Sequence, residues 1–285
     1  MKIYYYLILM SEDRLADIIK NSFEEAIEYF NKNGIKVEGL KLIILESPEL
    51  LIQKYGKDKI NENTGGKYDS GTIYIIKTHI KNFVDKVLSD LNESSISNLF
   101  TISRNEVLWP VLINDNDIEK AIAKADAESI LIHEIGHHIV GSGNWKASFV
   151  EFLVYFYKNE LYKYPEVYKI MERNTKKCEK FIKEKNPPSY LPYSLGYCFA
   201  NDIIYAYENI LNKNKESPKL NIKGTIEKFK HFSKDYYVET TRTFNMIISD
   251  YIAIAKILNE KYAMLSWITN CLLEKPPNTM DNINE

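Results

Sequence analysis

Cysteine is scarce. There are three in 285 residues, Cys178, Cys198 and Cys271, and no CxxC pair among them. That argues against a thiolate zinc site or a CxxC redox motif. The odd, sparse count also argues against a disulfide framework and fits a reducing compartment. Glycine and proline are few as well, 11 and 9, about 7% of the chain against a usual ~12%. So few breakers favour long helices over an all-β architecture. Neither sign of charge dominates: 37 Lys and Arg stand against 39 Asp and Glu, a net −2. This gives no reason to expect nucleic acid or an acidic membrane as a partner. Long apolar runs are missing too. The longest near the start, residues 2–10 (KIYYYLILM), meets Ser11-Glu12-Asp13 without a small-residue cleavage site. It is too short for a membrane span and wrong for a signal peptide, so it reads as a buried strand in a cytoplasmic protein.

What is present is an ordinary folded composition, 45% hydrophobic and 27% charged, in a chain long enough for one large domain or two closely joined lobes. Residues 12–32 carry Leu15, Ile18, Ile19, Phe23, Ile27 and Phe30 at helical spacing, ended by Asn33-Gly34. Residues 35–45 read as a strand, and Pro48 opens a short helix that stops near Gly56. Residues 61–71 (NENTGGKYDSG) read as a turn-rich loop and 72–77 (TIYIIK) as a further strand. A helix is expected over 78–99, then irregular chain to 118 with a β-like run at Val107–Ile113. From Ile118 the pattern is helical: 118–140, 145–163, 166–185, 194–213, 224–232 and 238–273, with a frayed tail at 275–285. The expected fold class is α+β. A small N-terminal α/β lobe, residues 1–142, would precede a mainly helical C-terminal lobe, residues 143–285.

One segment concentrates the chemistry. Three of the five histidines fall in His133-Glu134-Ile135-Gly136-His137-His138. On a helix, residues i and i+4 share a face, so His133 and His137 can chelate one ion through neutral imidazoles. Glu134 then sits beside the open coordination position and can take a proton from a water there. The preceding Ala121, Ile122, Ala125, Ala127, Ile130, Leu131 and Ile132 are apolar enough to bury this helix. A surface HExxH would be a weak signal. A buried one leaves two histidines and a carboxylate in need of partners, and zinc supplies them. A hydrogen-bonded core cluster without metal would use the same residues. His138 points about 100° away from the pair and suits a supporting or surface role.

Zinc hydrolases usually hold the ion with three protein ligands. Downstream, 149–157 (FVEFLVYFY) is apolar all round with one carboxylate, Glu151. A lone buried Glu needs a partner, because burying it unpaired costs several kcal/mol. Glu151 is therefore the expected third ligand, a buried ion pair being the alternative. Glu160 reads as a solvated helix end, and Glu239 sits in a polar run. His231 reads as a surface histidine, with a second transition-state donor as the alternative, and Asp250 reads equally as a helix-packing acid or as a group orienting a ligand histidine.

The run HEIGHHIVGSGNWKASFVEFLVYFY resembles the gluzincin zinc metallopeptidases of the thermolysin-like clan, in particular their aminopeptidase-like branch. Gly143-Asn144-Trp145 resembles the turn that follows HExxH there. The resemblance gives Glu151 the role of third ligand of Zn2+ with His133 and His137, and Glu134 that of general base. Residues 65–77 resemble the edge strand of that catalytic unit, which implies a peptide or protein substrate bound along strand 72–77. Leu191-Pro192-Tyr193-Ser194-Leu195-Gly196 resembles the helix start that carries the oxyanion-stabilising tyrosine, which would be Tyr193. Thirteen residues separate His137 from Glu151, fewer than that family normally has. The expected activity is zinc-dependent peptide hydrolysis. The alternative is a peptidase-like binding protein whose zinc is structural or absent.

Overall fold

A computed structural model describes residues 12–90, 99–104, 107–112, 117–141, 143–171, 173, 193, 196–198, 200, 201, 204 and 221–227. The fold is α+β and mostly helical, with a small three-stranded sheet. The strand expected at 2–10, the helix at 238–273, the tail, His231, Glu239 and Asp250 lie outside the described residues. So do much of the helices expected at 166–185, 194–213 and 224–232.

Helix α1 (Glu12–Lys32) buries Leu15, Ile18, Ile19, Ala26 and Phe30, the stripe its periodicity announces. Strand β1 (Lys41–Leu45) is shorter than the expected 35–45. Gly39, at φ 74°, breaks the extended chain before it, although Ile35 and Val37 are still buried. Helix α2 (Glu49–Tyr55) ends at Gly56. The turn-rich loop is in part a strand. β2 (Gly66–Asp69) pairs antiparallel with β3 (Thr72–Ile76) through a tight turn in which Ser70 and Gly71 both take positive φ, as a two-residue hairpin requires. Strand β1 joins the other edge of β3 in parallel, giving the order β1-β3-β2. Strand 72–77 therefore stands in the middle of the sheet, bonded on both sides. The outer edge on that flank, among the described residues, is β2.

Helix α3 (Lys77–Asp90) is shorter than expected. Leu99, placed at the end of that helix by periodicity, instead opens β4 (Leu99–Arg104), which pairs antiparallel with β5 (Val107–Leu112). The β-like run at Val107 was visible; its partner strand was not, because LFTISR shows no clean alternation.

Helix α4 (Ile118–Val140) is packed on α1, α3, β2, β3 and α5 (Asn144–Lys158). Its ends are specified locally. The Asp117 carboxylate accepts from the Lys120 N–H at 3.0 Å, and at the other end Gly141 takes φ 84° and returns its N–H to the His137 carbonyl at 3.0 Å. Between them Ile122, Ala127, Leu131, Ile132 and Ile135 are fully buried. A charged clamp ties α1, α4 and α5 together. Lys158 bridges buried Glu128 at 2.8 Å and Glu25 at 3.1 Å, and Lys124 meets Glu25 at 2.9 Å. Removing one member of the buried Glu128–Lys158 pair would strand the other, a cost of about 3 kcal/mol.

Gly136 sets how closely α4 and α5 approach. A Cβ there would stand 3.2 Å from both Cα and carbonyl O of Ala147 and 3.4 Å from the Val150 Cβ. In an open helix Gly→Ala stabilises by about 1 kcal/mol. Here the neighbour is backbone, which cannot step aside. Gly136→Ala is therefore expected to destabilise by about 1–2 kcal/mol; a denaturation midpoint equal to or above wild type would refute the contact.

The cysteines depart from expectation. Cys198 is buried and disulfide-bonded, its partner lying outside the described residues. Count and spacing carry no information on which cysteines meet in space. The reducing-compartment reading loses that support. Among the described residues, no helix is long and apolar enough to cross a membrane.

Candidate functional site

The HExxH residues occupy the last two turns of α4. His133 and Glu134 are each 7% exposed, and His137 and His138 are half-buried. The His133 and His137 rings face each other edge-on, with centroids 4.9 Å apart. The outer nitrogen contacts of the two rings define their tautomers. His137 Nδ1 lies 3.3 Å from the Gly141 carbonyl oxygen, and His133 Nδ1 lies 3.0 Å from Glu151 Oε2. Each partner is an acceptor, so each Nδ1 donates. In its neutral form each ring then keeps its lone pair on Nε2, the form that ligates a cation. Burial, followed by the neighbouring His133, pushes the His137 pKa down to about 4, so that ring is neutral at ordinary pH.

Glu134 stands under the sheet edge. Gly65 and Gly66 let the chain lie directly on α4: a Cβ on Gly65 would stand 2.8 Å from Ile130 Cδ1, and one on Gly66 2.6 Å from Ile130 Cγ2 and 3.2 Å from Glu134 Cγ. The Ile76 N–H donates to the Gly65 carbonyl at 3.0 Å. By the alternation of an antiparallel ladder, Gly66 and Tyr68 then turn their own N–H and C=O away from β3. The Tyr68 N–H meets the Glu134 carboxylate. Burial pushes the Glu134 carboxyl above its ordinary range, opposed by His133, the Tyr68 N–H and Lys67, and assisted by the charge of Glu151. His138, one residue past the pair, lies 3.0 Å through Nδ1 from the Tyr68 hydroxyl, which ties α4 to β2.

Glu151 is 1% exposed on α5. It stands behind His133. Oε2 takes the His133 Nδ1–H at 3.0 Å and the Tyr197 hydroxyl at 2.6 Å, and Oε1 takes the Ser129 hydroxyl. Ser148 Oγ lies 3.5 Å from the same Nδ1. Tyr193 is half-buried and stacks on the His133 ring, centroids 5.5 Å apart and planes 22° from parallel. Gly196 is fixed by packing, since a Cβ there would collide with the Trp145 carbonyl oxygen. The structure thus gathers His133, Glu134, His137, Glu151 and Tyr193 around one end of α4. Glu160 lies apart, at a left-handed turn after α5, paired with Lys163.

Two participants escaped the sequence. Ser129 precedes His133 by one turn on the same face, and Tyr197 follows Tyr193 by one turn. The i, i+4 spacing of both pairs was the available signal. As a zinc site, the set is half complete. Two imidazoles with engaged Nδ1 atoms suit the ion, but among the described residues no three His, Cys, Asp or Glu side chains converge to hold one. In comparisons with known proteins, the chain matches no protein-family model, no curated sequence and no solved structure.

Proposed function

We propose that this chain is a zinc-dependent metallopeptidase with a thermolysin-like catalytic unit. One observation carries the reading: His133 and His137 lie on one helix face with ring centroids 4.9 Å apart, and each has its Nδ1 beside an acceptor, which in the neutral ring leaves the lone pair on Nε2, with the buried Glu134 carboxylate next in sequence to His133. A bound Zn2+ would polarise a peptide carbonyl and make water more acidic. The remaining work falls to the chain. The Glu134 carboxylate, steered by the Tyr68 N–H, accepts a proton from water and returns it to the leaving amine. With the Tyr68 N–H given to Glu134, the outward Gly66 N–H and C=O and the Tyr68 C=O of β2 offer an extended peptide an edge to pair with, directly above Glu134. Strand 72–77 cannot take that role, being bonded on both sides. Tyr193, lying over His133, is the candidate hydroxyl donor to the developing oxyanion.

The second reading is a peptidase-like binding protein without turnover. The placement of Glu151 favours it, because three protein donors hold that carboxylate where a third ligand is wanted. Metal analysis of protein prepared without chelator, beside hydrolysis of a mixed peptide library with and without chelator, separates the two. Zinc with chelator-sensitive cleavage supports the enzyme. Zinc without cleavage supports the binding protein, and absence of both overturns the metallopeptidase.

A further inference from the structure

We infer that Glu151 is a positioning residue: its carboxylate, locked by Ser129 and Tyr197, holds His133 in the Nδ1–H tautomer and aims its Nε2, instead of serving as the third ligand. The inference deepens the metallopeptidase reading and rests on it for the use to which that Nε2 is put.

The two nitrogens of an imidazole face opposite ways across the ring. A carboxylate that accepts from Nδ1 at 3.0 Å therefore stands on the far side of His133 from whatever Nε2 binds. Glu151 is also fully committed where it is. The Tyr197 hydroxyl reaches Oε2 at 2.6 Å, and the Ser129 hydroxyl closes on Oε1. These donors come from two different helical segments, so they fix the carboxylate from both flanks. Turning Glu151 towards the other face of His133 would break three hydrogen bonds to a buried charge. Each is a charge-assisted bond, of the stronger kind. The arrangement also accounts for the short sequence distance between His137 and Glu151. Residues 141 and 143–144 turn the chain straight back, and α5 returns against α4 so closely that Gly136 touches Ala147. That close return delivers Glu151 to the buried flank of His133, beside Ser129.

The test uses the full chain and two substitutions, Glu151→Gln and Tyr197→Phe. In metal-free protein labelled with 15N-histidine, His133 is expected in a single tautomer with the proton on Nδ1 and that proton shifted downfield. Glu151→Gln should move the proton upfield and mix the tautomers; Tyr197→Phe should do so to a smaller extent. In titrations with zinc alone, Glu151→Gln should still bind one ion per chain, weakened roughly 10–100-fold, the usual cost of losing a carboxylate behind a ligating histidine. The visible spectrum of the cobalt-loaded protein should keep its band pattern, since the donor set is unchanged. An Nε2–H tautomer in wild type, or a His133 resonance indifferent to Glu151→Gln, overturns the inference. So does a cobalt spectrum that changes coordination in that variant. A fixed, Glu151-dependent tautomer supports it whether or not zinc binds, whereas wild type that binds no zinc overturns the metallopeptidase reading alone. If Glu151→Gln fails to fold, Tyr197→Phe decides by the same resonance.

Discussion

Glu134→Gln is expected to abolish peptide hydrolysis, lowering kcat/KM by roughly 10²–10⁴-fold, while zinc content and fold are kept. An amide cannot accept a proton from water, yet it has nearly the shape of the carboxylate. The Tyr68 N–H that now donates to Glu134 finds the amide oxygen in its place. Stability should not fall. The native carboxylate is held in a buried position that disfavours its charge, and the amide removes that cost. Thermal unfolding should show the variant at least as stable as wild type, and metal analysis should show equal zinc. Hydrolysis at the wild-type rate by the zinc-loaded variant would mean that the base is another group. Loss of zinc together with activity would mean that Glu134 helps hold the ion. Neither result would be compatible with the roles assigned to it.

The part of the site that lies on α4 was legible because it is local. Apolar residues at helical spacing from Ile118 specify a helix over 118–140 without reference to anything else, and that is the helix found. The i, i+4 histidines follow from the same geometry. Where the reading erred, the cause was tertiary. Gly65-Gly66 looks like a turn from composition. It belongs to a strand approach because any side chain there would strike Ile130, and nothing local reveals that surface. Glu151 shows a limit of another kind. An isolated carboxylate in an apolar helix does demand a partner, and it has partners. The sequence pattern could not distinguish a zinc ion from His133, Ser129 and Tyr197, because those groups converge only once α5 has folded back on α4. Cys198 repeats the lesson, since bonding between cysteines depends on distances that spacing along the chain does not encode.

His133→Ala and His137→Ala should each remove zinc, but with different effects on the metal-free protein. Structural zinc contributes about 10–16 kcal/mol, so one donor of about four carries roughly 3 kcal/mol, a loss of at least ~10²-fold in affinity. Neither variant should retain the ion through purification without chelator. Stability separates them. His133 is buried and supplies one of the hydrogen bonds received by the Glu151 carboxylate, which is itself 1% exposed. Its removal leaves a cavity and an under-satisfied buried charge, worth about 2–3 kcal/mol. His137 is half-buried, and its Nδ1 bonds the Gly141 carbonyl at 3.3 Å, a group at the helix end that water can also reach. Its loss should cost under about 1 kcal/mol. Metal analysis and denaturant unfolding of the two metal-free variants give both quantities. Full zinc in both would end the zinc assignment. Equal stability losses would show that Glu151 does not depend on His133, and the geometry behind α4 would have to be redrawn.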